Sequence, residues 1–467
     1  MLNRLGHYGP DQPPLPCRRL DGTRESDVRL RSFVAAAAVT ALGISLAACG
    51  GSGSSSSSNG GGGGDKTLTY WASNQGTSLD NDKQVLTPVL QKFTQDTGIK
   101  VNLEVIGWNE LQTRIQTAIT SGQAPDVLNI GNTWAASLQA TDAFMPFDSS
   151  AMDAIGGKDK FVPTALATGG KAGTDPTSVP LYGLAYGLYY NQAMFAAAGL
   201  QPPKTWEEMV ADAKKLTNPA KNQWGMVLAA GSYTENVHFA FINAAQNGAE
   251  WFDKDGKPTF TGDGNVQGIL RYLDLMQKDK VANPSNVQYD NGVKSVNDFA
   301  NKKAAMVINQ NNADSSIVAN GMKSGEYGVV AFPAPQGAAQ PVASHVAGIN
   351  LSIFKTTKNK DAALKFVKYM TDANTQTTLG KPFSSLPVLK NAKPVFTTDT
   401  TEAATFQDIY NTKSKPLPLV PAEDQFESTV GKAMNSLFAK IATGGTISAD
   451  DVKAALKTAQ DQVAASS

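Results

Sequence analysis

A run of fifteen residues, Gly50–Gly64, consists only of glycine, serine and one asparagine. Such a run has no apolar side chains to bury, so it behaves as a flexible linker. It separates an N-terminal segment from a body that begins near Asp65. That body is roughly 400 residues long, which is enough for two or three domains.

The segment before the linker has the parts of an export signal. Arg29 and Arg31 precede an apolar run that ends in Leu46-Ala47-Ala48-Cys49. A positive head, an apolar stretch and small residues before a cut site are typical of secretory signal peptides. The Leu-Ala-Ala-Cys ending resembles the lipobox of bacterial lipoproteins. The alternative is a transmembrane anchor, which needs about 20 apolar residues, more than this run contains.

The lipobox motif predicts the order of the N-terminal segments. Residues 28–48 are the signal peptide, Cys49 carries the lipid, and residues 49–64 are the tether that holds the body outside the cytoplasm at the cell membrane. Residues 1–27 are polar and contain several prolines and arginines, which do not fit a signal peptide. We therefore hypothesise that translation begins at Val28.

Composition excludes several classes of function. Lys plus Arg and Asp plus Glu number 41 each, whereas proteins that bind nucleic acid carry a basic surplus. The two cysteines are Cys17 and Cys49, so the body has no disulfide and no thiolate metal site. With only three histidines, His7, His238 and His345, we predict no metal site and no cofactor.

Short β-rich runs alternate with helical patterns after the linker. Strands alternating with helices of this length indicate βαβ units and a mostly parallel sheet, so the fold class is α/β. The predicted strands are Thr67–Trp71, Val101–Ile106 and Pro125–Ile130, and the predicted helices between them are Val85–Thr97 and Leu111–Ser121.

Two later segments help to organise the body. Val179–Asn191 contains aromatic residues and glycines but no turn signal, so we predict one long strand that passes from one lobe to another. Thr205 is a predicted helix N-cap, with Glu207 and Glu208 well placed against the helix dipole. A further helix is predicted at Phe239–Asn247.

Motifs spread over Thr67–Val463 resemble the family 1 extracellular solute-binding proteins of ABC importers, the group that includes the maltose-binding protein. The matching segments are Leu68–Trp71, Ser121–Val127, Val179–Asn191, Gly199–Glu208, Phe299–Met306, Phe332–Pro335, Lys358–Ala363 and Leu386–Val388.

This resemblance implies a fold of two α/β lobes joined by hinge crossovers, with a ligand cleft between them. It also implies a monomer that captures a carbohydrate and passes it to the permease of an ABC importer, and that performs no catalysis. The expected first lobe comprises residues 65–182 and 338–372, and the expected second lobe comprises residues 183–337 and 373–467.

Sugars have apolar C–H faces and a rim of hydroxyl groups, so a sugar site needs flat aromatic rings beside amides and carboxylates. Such residues recur near predicted strand ends, where open α/β sheets bind their ligands. Trp108 is left open between the core and the cleft. The predicted ligand-binding residues are Trp71, Asn74, Asn132, Trp134, Tyr186, Tyr233, Glu235, Trp251, Asn309, Asn311 and His345.

Two alternatives to a sugar receptor remain. A surface-anchored glycosidase would need two carboxylates about 5–10 Å apart across the scissile bond. A receptor for a polyamine or a peptide would need a different site, and a polyamine site would be rich in acidic groups. The absence of a Gly-x-Ser-x-Gly elbow argues against a serine hydrolase.

Overall fold

A computed structural model describes residues 67–466. Its strands are β1 (Thr67–Ser73), β2 (Lys100–Ile106), β3 (Val127–Gly131), β4 (Ser178–Leu184), β5 (Tyr186–Asn191), β6 (Trp224–Val227), β7 (Ala304–Gln310), β8 (Tyr327–Val330), β9 (Ser344–His345), β10 (Ala347–Ile353) and β11 (Ser414–Lys415). Its α-helices are α1 (Leu79–Thr97), α2 (Trp108–Ser121), α3 (Ala135–Ala140), α4 (Ser149–Ala154), α5 (Pro163–Leu166), α6 (Gln192–Ala197), α7 (Trp206–Leu216), α8 (Tyr233–Gln246), α9 (Asp263–Gln277), α10 (Gly292–Ala300), α11 (Ala313–Ala319), α12 (Lys360–Met370), α13 (Ala373–Gly380), α14 (Thr400–Thr412), α15 (Glu423–Ala442) and α16 (Ala449–Ser466).

The first sheet has the strand order β2-β1-β3-β10-β4. Strand β1 pairs in parallel with β2 and β3, whereas β10 runs antiparallel to both β3 and β4. Four of the five strands therefore point the same way. This arrangement confirms the predicted α/β class with a mostly parallel sheet.

The second sheet has the strand order β6-β7-β5-β8. Strands β6 and β7 are parallel, and β5 runs antiparallel to β7 and β8. A short parallel pair, β9 with β11, lies outside these two sheets. Each lobe is thus built on its own sheet, and each sheet contains one strand of opposite direction.

The chain passes from the first sheet to the second at Ala185, between β4 and β5. The predicted single strand Val179–Asn191 is therefore two strands in different sheets. The Ala185 N–H donates to Asn311 Oδ1 at 2.8 Å, and Asn311 N donates to the Ala185 carbonyl at 3.1 Å. Asn311 Nδ2 donates to the Ser384 carbonyl at 2.5 Å. The buried Asn311 thus supplies the hydrogen bonds of the backbone at the crossing, where neither sheet provides a partner strand.

Helix starts are set by local capping. Thr205 caps α7 as predicted: its Oγ1 accepts from Glu208 N at 3.2 Å, and Glu208 Oε2 accepts from Thr205 N at 3.3 Å. Helix α8 begins at Tyr233, six residues before the predicted start at Phe239, because Ser232 Oγ accepts from Glu235 N at 3.3 Å. The earlier start places Glu235 on a helix.

Residues 373–389, which we expected in the second lobe, contact the first sheet. Helix α13 packs against α1, α12 and β4, and Gln376 Nε2 donates to the Leu181 carbonyl at 2.7 Å. Gly183 and Leu386 exchange two backbone hydrogen bonds of 2.9 and 2.8 Å. These contacts favour a lobe boundary beyond residue 389, and the limits of both lobes remain a prediction.

The predicted leader, signal peptide, lipidated Cys49 and tether all lie before residue 67, outside the described residues. Within residues 67–466, no helix combines the length and the apolar character that crossing a bilayer requires.

Replacing Asn311 with alanine should destabilise the protein, because it leaves the Ala185 N–H and the Ser384 carbonyl buried without these partners. The expected cost is about 1–3 kcal/mol for each group left unpaired, measured by urea unfolding. The matched control is Asn320→Ala, which removes an exposed amide. Equal stability of the two variants would contradict the role given to Asn311.

Candidate functional site

A cavity of about 230 Å³ lies where the two sheets meet. The carboxyl ends of β1 and β3 open into it from the first lobe, and the start of β5 and the end of β7 open into it from the second. This is the edge at which open α/β sheets bind ligands. Its lining residues are Asn74, Gln75, Trp108, Gly131, Asn132, Thr133, Trp134, Leu184, Tyr186, Thr234, Glu235, His238, Gln310, Asn312, His345, Ala347, Gly348, Ile349 and Glu427.

A larger groove, of about 690 Å³, lies around α4, α5 and the 170–176 loop. Phe147 is the only aromatic residue in its lining, and apart from Leu419 that lining comes from residues 147–176. The smaller cavity is the better candidate site because it gathers aromatic and polar side chains from both lobes.

Two tryptophan rings form the aromatic wall of the cavity. Trp108 and Trp134 meet edge to face, with ring centroids 5.5 Å apart. A Cβ atom on Gly131 would lie 3.3 Å from the Trp134 ring, so the glycine lets this ring pack against the strand. The wall therefore offers flat apolar surface from two adjacent elements of the first lobe.

The loop after β1 is held in place by the buried carboxylate of Asp82. Asp82 Oδ1 accepts from the backbone N–H groups of Gln75 at 3.0 Å and Gly76 at 2.9 Å, and Asn74 Nδ2 donates to the same carboxylate. Trp108 Nε1 donates to the Asn74 carbonyl at 2.6 Å. Asn74 and Gln75 are thus presented to the cavity by a fixed loop.

A polar network forms the second-lobe side of the cavity. The Tyr186 hydroxyl donates to Glu235 Oε2 at 2.8 Å and lies 2.9 Å from His238 Nδ1. His238 Nε2 lies 3.4 Å from Glu427 Oε1. The rings of His238 and His345 are in contact in a tilted arrangement, with their centroids 4.0 Å apart. The network links β5, α8, α15 and β9.

Burial shifts the pKa values of two side chains at this side of the cavity, Glu235 and His345. It raises the pKa of the Glu235 carboxyl, although His238 and the hydrogen bond from Tyr186 act in the opposite direction. Burial, helped by nearby His238, holds the pKa of His345 well below its usual range. His345 is therefore neutral at physiological pH, and its Nδ1 has no hydrogen-bond partner among the described residues.

Six of the predicted ligand-binding residues lie together in the cavity lining, from both lobes. They are Asn74, Asn132, Trp134, Tyr186, Glu235 and His345. The amide of Asn132 also has a structural contact, since its Nδ2 donates to the Val346 carbonyl at 2.7 Å. Direct contact between these side chains and a ligand remains a prediction.

Trp251 and Trp71 lie in the hydrophobic core instead of the cavity. Trp251 is 1% exposed and packs on Phe260 and Phe426, with ring centroids 5.6 and 5.0 Å apart. Side chains alternate across a strand, so Trp71 points to the opposite face of the sheet from its neighbour Tyr70 and packs in a separate core cluster. Expecting either ring in the cleft was wrong.

The alternation of side chains along β7 also bears on the amides at the end of this strand and just after it. Asn309 and Asn311 were predicted to bind ligand, whereas Gln310 and Asn312 line the cavity. The Asn309 amide instead bonds the backbone of Gly292 and Gln310, and Asn311 holds the crossing between the sheets. The predicted segment reaches the cavity lining, but through Gln310 and Asn312 instead of Asn309 and Asn311.

Tyr233 also lies outside the cavity lining. It is the first residue of α8 and is 39% exposed, and its ring lies 5.9 Å from Lys432 Nζ. The two residues that follow it, Thr234 and Glu235, line the cavity instead.

Sequence reasoning missed His238 and Glu427, and it left Trp108 undecided. His238 lies three residues after Glu235, so both side chains occupy one face of α8. If the helix had been predicted to start at Tyr233 instead of Phe239, this spacing would have pointed to His238 as a neighbour of Glu235. Glu427 comes from α15, far along the chain, and no local pattern connects it with the cavity. Within residues 67–466 no group of three or more His, Cys, Asp or Glu side chains is arranged to hold a metal ion.

Two sheets joined by the chain crossing at Ala185, with a lined cavity where they meet, have the architecture of a two-lobed binding protein. The chain matches the family of bacterial extracellular solute-binding proteins over residues 52–377, which is more than half of its length. It belongs to this family, and its family places it outside the cytoplasm.

Named relatives and a solved structure agree with this assignment. The chain is 24% identical over 352 residues to the putative binding protein BAB2_0491 of Brucella abortus, covering 74% of this chain and 82% of the relative. It is 26% identical over 303 residues to the multiple sugar-binding protein of Streptococcus mutans, covering 63% and 70%. A solute-binding protein of Thermotoga lettingae bound with α-D-tagatose shares the fold, with a TM-score of 0.72, 22% identity and coverage of 85% and 100%.

Replacing Trp251 with alanine should lower the free energy of unfolding by about 3–5 kcal/mol, because a fully buried ring is lost from the core. Trp134→Ala, at the cavity wall, should cost clearly less, because its ring is only partly buried. Urea unfolding of both variants measures the difference. An equal or smaller loss for Trp251→Ala would contradict the core position of this ring.

Proposed function

We propose that this protein captures a carbohydrate outside the cytoplasm and delivers it to the permease of an ABC importer. The observation that carries this proposal is the cavity, whose lining combines the rings of Trp108 and Trp134 with the polar network of Tyr186, Glu235 and His238. An aromatic wall suits the C–H face of a sugar, and amides and carboxylates suit its hydroxyl groups.

The relatives support the same class of ligand. One is a multiple sugar-binding protein, and the similar solved structure holds α-D-tagatose. The proposed contacts are those of the cavity lining: Asn74, Gln75, Trp108, Asn132, Trp134, Tyr186, Glu235, Gln310, Asn312 and His345. The ligand would contact both lobes, so that hinge closure traps it.

The positions of the two carboxyl groups in the cavity favour binding without catalysis. A glycosidase needs one carboxyl to protonate the leaving oxygen and another to attack or to activate water. Here Glu235 accepts a hydrogen bond from Tyr186, and Glu427 faces the His238 ring. Both carboxyl groups belong to one connected network on the same side of the cavity instead of standing on opposite sides of an open cleft.

The N-terminal segments complete the proposal. Cleavage before Cys49 would leave this cysteine as the lipidated first residue, and residues 50–64 would tether the monomeric receptor to the cell membrane. The anchor would keep the receptor near the permease and would not take part in binding.

A thermal-shift screen tests the receptor function. The mature protein is heated with mono- and disaccharides, and with polyamines, amino acids and short peptides as controls. A ligand at a hundred times its dissociation constant should add about 2.7 kcal/mol of stability. Trp134→Ala should weaken the affinity for the responding sugar by about 1–3 kcal/mol.

Each outcome of the screen has a clear meaning. A sugar that stabilises the protein and is recovered unchanged supports a receptor. A sugar that is recovered cleaved would make the protein an enzyme. A response confined to the controls would overturn the carbohydrate class.

Cys49→Ala tests the anchor separately. Because the substitution removes the acylated thiol, the protein should lose acyl labelling and leave the membrane fraction, while its affinity for sugar stays unchanged. Labelling with a fatty-acid analogue and fractionation measure both effects. Cys17→Ala is the matched control, and continued acylation of Cys49→Ala would contradict the lipobox interpretation.

A further inference from the structure

The cavity is acidic at one side. Glu235 and Glu427 line it, and no lysine or arginine is among the described residues that do so. Glu423 lies one helical turn before Glu427 and is 1% exposed, and burial first and then the nearby Glu427 carboxylate hold the pKa of its carboxyl well above the usual range. Three carboxyl groups are thus concentrated near one wall of a small cavity.

Among the described residues of this network, His238 is the one side chain that can carry a positive charge beside these carboxyl groups. The Tyr186 hydroxyl has a single proton; when it donates this proton to an ionised Glu235, His238 Nδ1 is the donor to the hydroxyl oxygen. His238 Nε2 then faces Glu427. A doubly protonated His238 carries one positive charge against the two carboxylates in the lining. His345 is buried and neutral, so it adds no charge.

The position of Glu427 leaves an acceptor open. Its side chain is 7% exposed, and its Oε1, 3.4 Å from His238 Nε2, accepts no well-aligned hydrogen bond from that ring; the one side chain within hydrogen-bonding range of the Glu427 carboxyl on α15 is the neighbouring acid Glu423. A buried carboxylate that lacks a hydrogen-bond donor is costly unless a ligand supplies one. A hydroxyl group can donate a hydrogen bond there, whereas only a cation also neutralises the excess negative charge.

We propose that the ligand is a sugar that carries a protonated amino group, and that this ammonium binds beside Glu427 and Glu235 while the sugar ring lies on Trp108 and Trp134. This inference rests on the proposed function, whose ligand class it narrows. The same charges discriminate against acidic sugars, since a ligand carboxylate or phosphate would be buried next to Glu427 without a lysine or arginine to pair with.

The raised pKa of Glu235, caused first by burial, supports this arrangement. Burial in the cavity wall disfavours the ionised form of this carboxyl. An ammonium placed beside the carboxylates favours their charged form.

Titration calorimetry with sets of sugars matched in shape and different in charge tests the proposal. The probes are glucosamine, glucose, N-acetylglucosamine and glucuronate, with chitobiose, cellobiose and N,N′-diacetylchitobiose as the disaccharide set, at low salt and at a pH that keeps the amines protonated. We expect at least one amino sugar to bind about tenfold or more tightly than its neutral counterpart. The acidic sugar should bind most weakly.

Charge-neutral variants localise the effect. Glu427→Gln keeps the size of the side chain and should abolish the preference for the amino sugar, and Glu235→Gln should reduce it. The matched control, Glu250→Gln, removes an exposed carboxylate paired with Lys415 outside the cavity and should retain the preference. Thermal unfolding checks that each variant is folded, and Glu235→Gln serves as the test if Glu427→Gln does not fold.

The outcomes separate this inference from the proposed function. Neutral sugars that bind as tightly as amino sugars, or an amino-sugar preference that survives in both cavity variants, would overturn the inference and leave the receptor in place. If spermidine or putrescine binds and no sugar does, the carbohydrate function itself fails together with the inference. Binding of none of the amino sugars would overturn the inference, and the thermal-shift screen over the wider set of sugars would then decide the proposed function.

Discussion

The structure depends on how the backbone is satisfied where the chain crosses between the sheets. At Ala185 neither β4 nor β5 provides a partner strand, and the residue is fully buried. Asn311 supplies the missing hydrogen bonds to Ala185, and Ser344 Oγ accepts from Tyr186 N at 2.9 Å. Because a buried backbone group cannot be left unpaired at small cost, these side chains fix the crossing. They thereby fix the position of Tyr186 in the cavity.

The two lobes contribute different kinds of side chain to the candidate site. The first lobe contributes the tryptophan wall and the loop held by Asp82, whereas the second contributes the network of Tyr186, Glu235 and His238. Helix α15 adds Glu427, and at its N-terminal end Asp424 accepts a hydrogen bond of 3.2 Å from Ser137 of the first lobe. Neither lobe alone presents both an apolar face and an acidic, hydrogen-bonding face, so a ligand that needs both must contact both lobes.

Much of the fold and about half of the candidate site could be predicted from local patterns. Alternating strands and helices predicted the sheet class, and polar residues at strand ends predicted the cavity edge that Asn74, Asn132 and Trp134 occupy. The errors arose where one residue decides the face of a strand. Trp71 follows the core residue Tyr70 and points to the other side of the sheet, and the amides after β7 are displaced by one position.

The sequence by itself determined the α/β class and the family, because each is written in local periodicity or a chain of short motifs. The export signal, the lipobox and the tether remain predictions from the motifs before residue 67. Only the tertiary structure decided which polar residues share the cavity. The polar residues next to Trp251 in the sequence suggested that its ring binds a sugar, yet Phe260 and Phe426 pack against this ring in the core. Glu427 joined the site from α15, although almost 200 residues separate it from Glu235. Contacts of this kind depend on how helices pack on a sheet, and no local pattern encodes them.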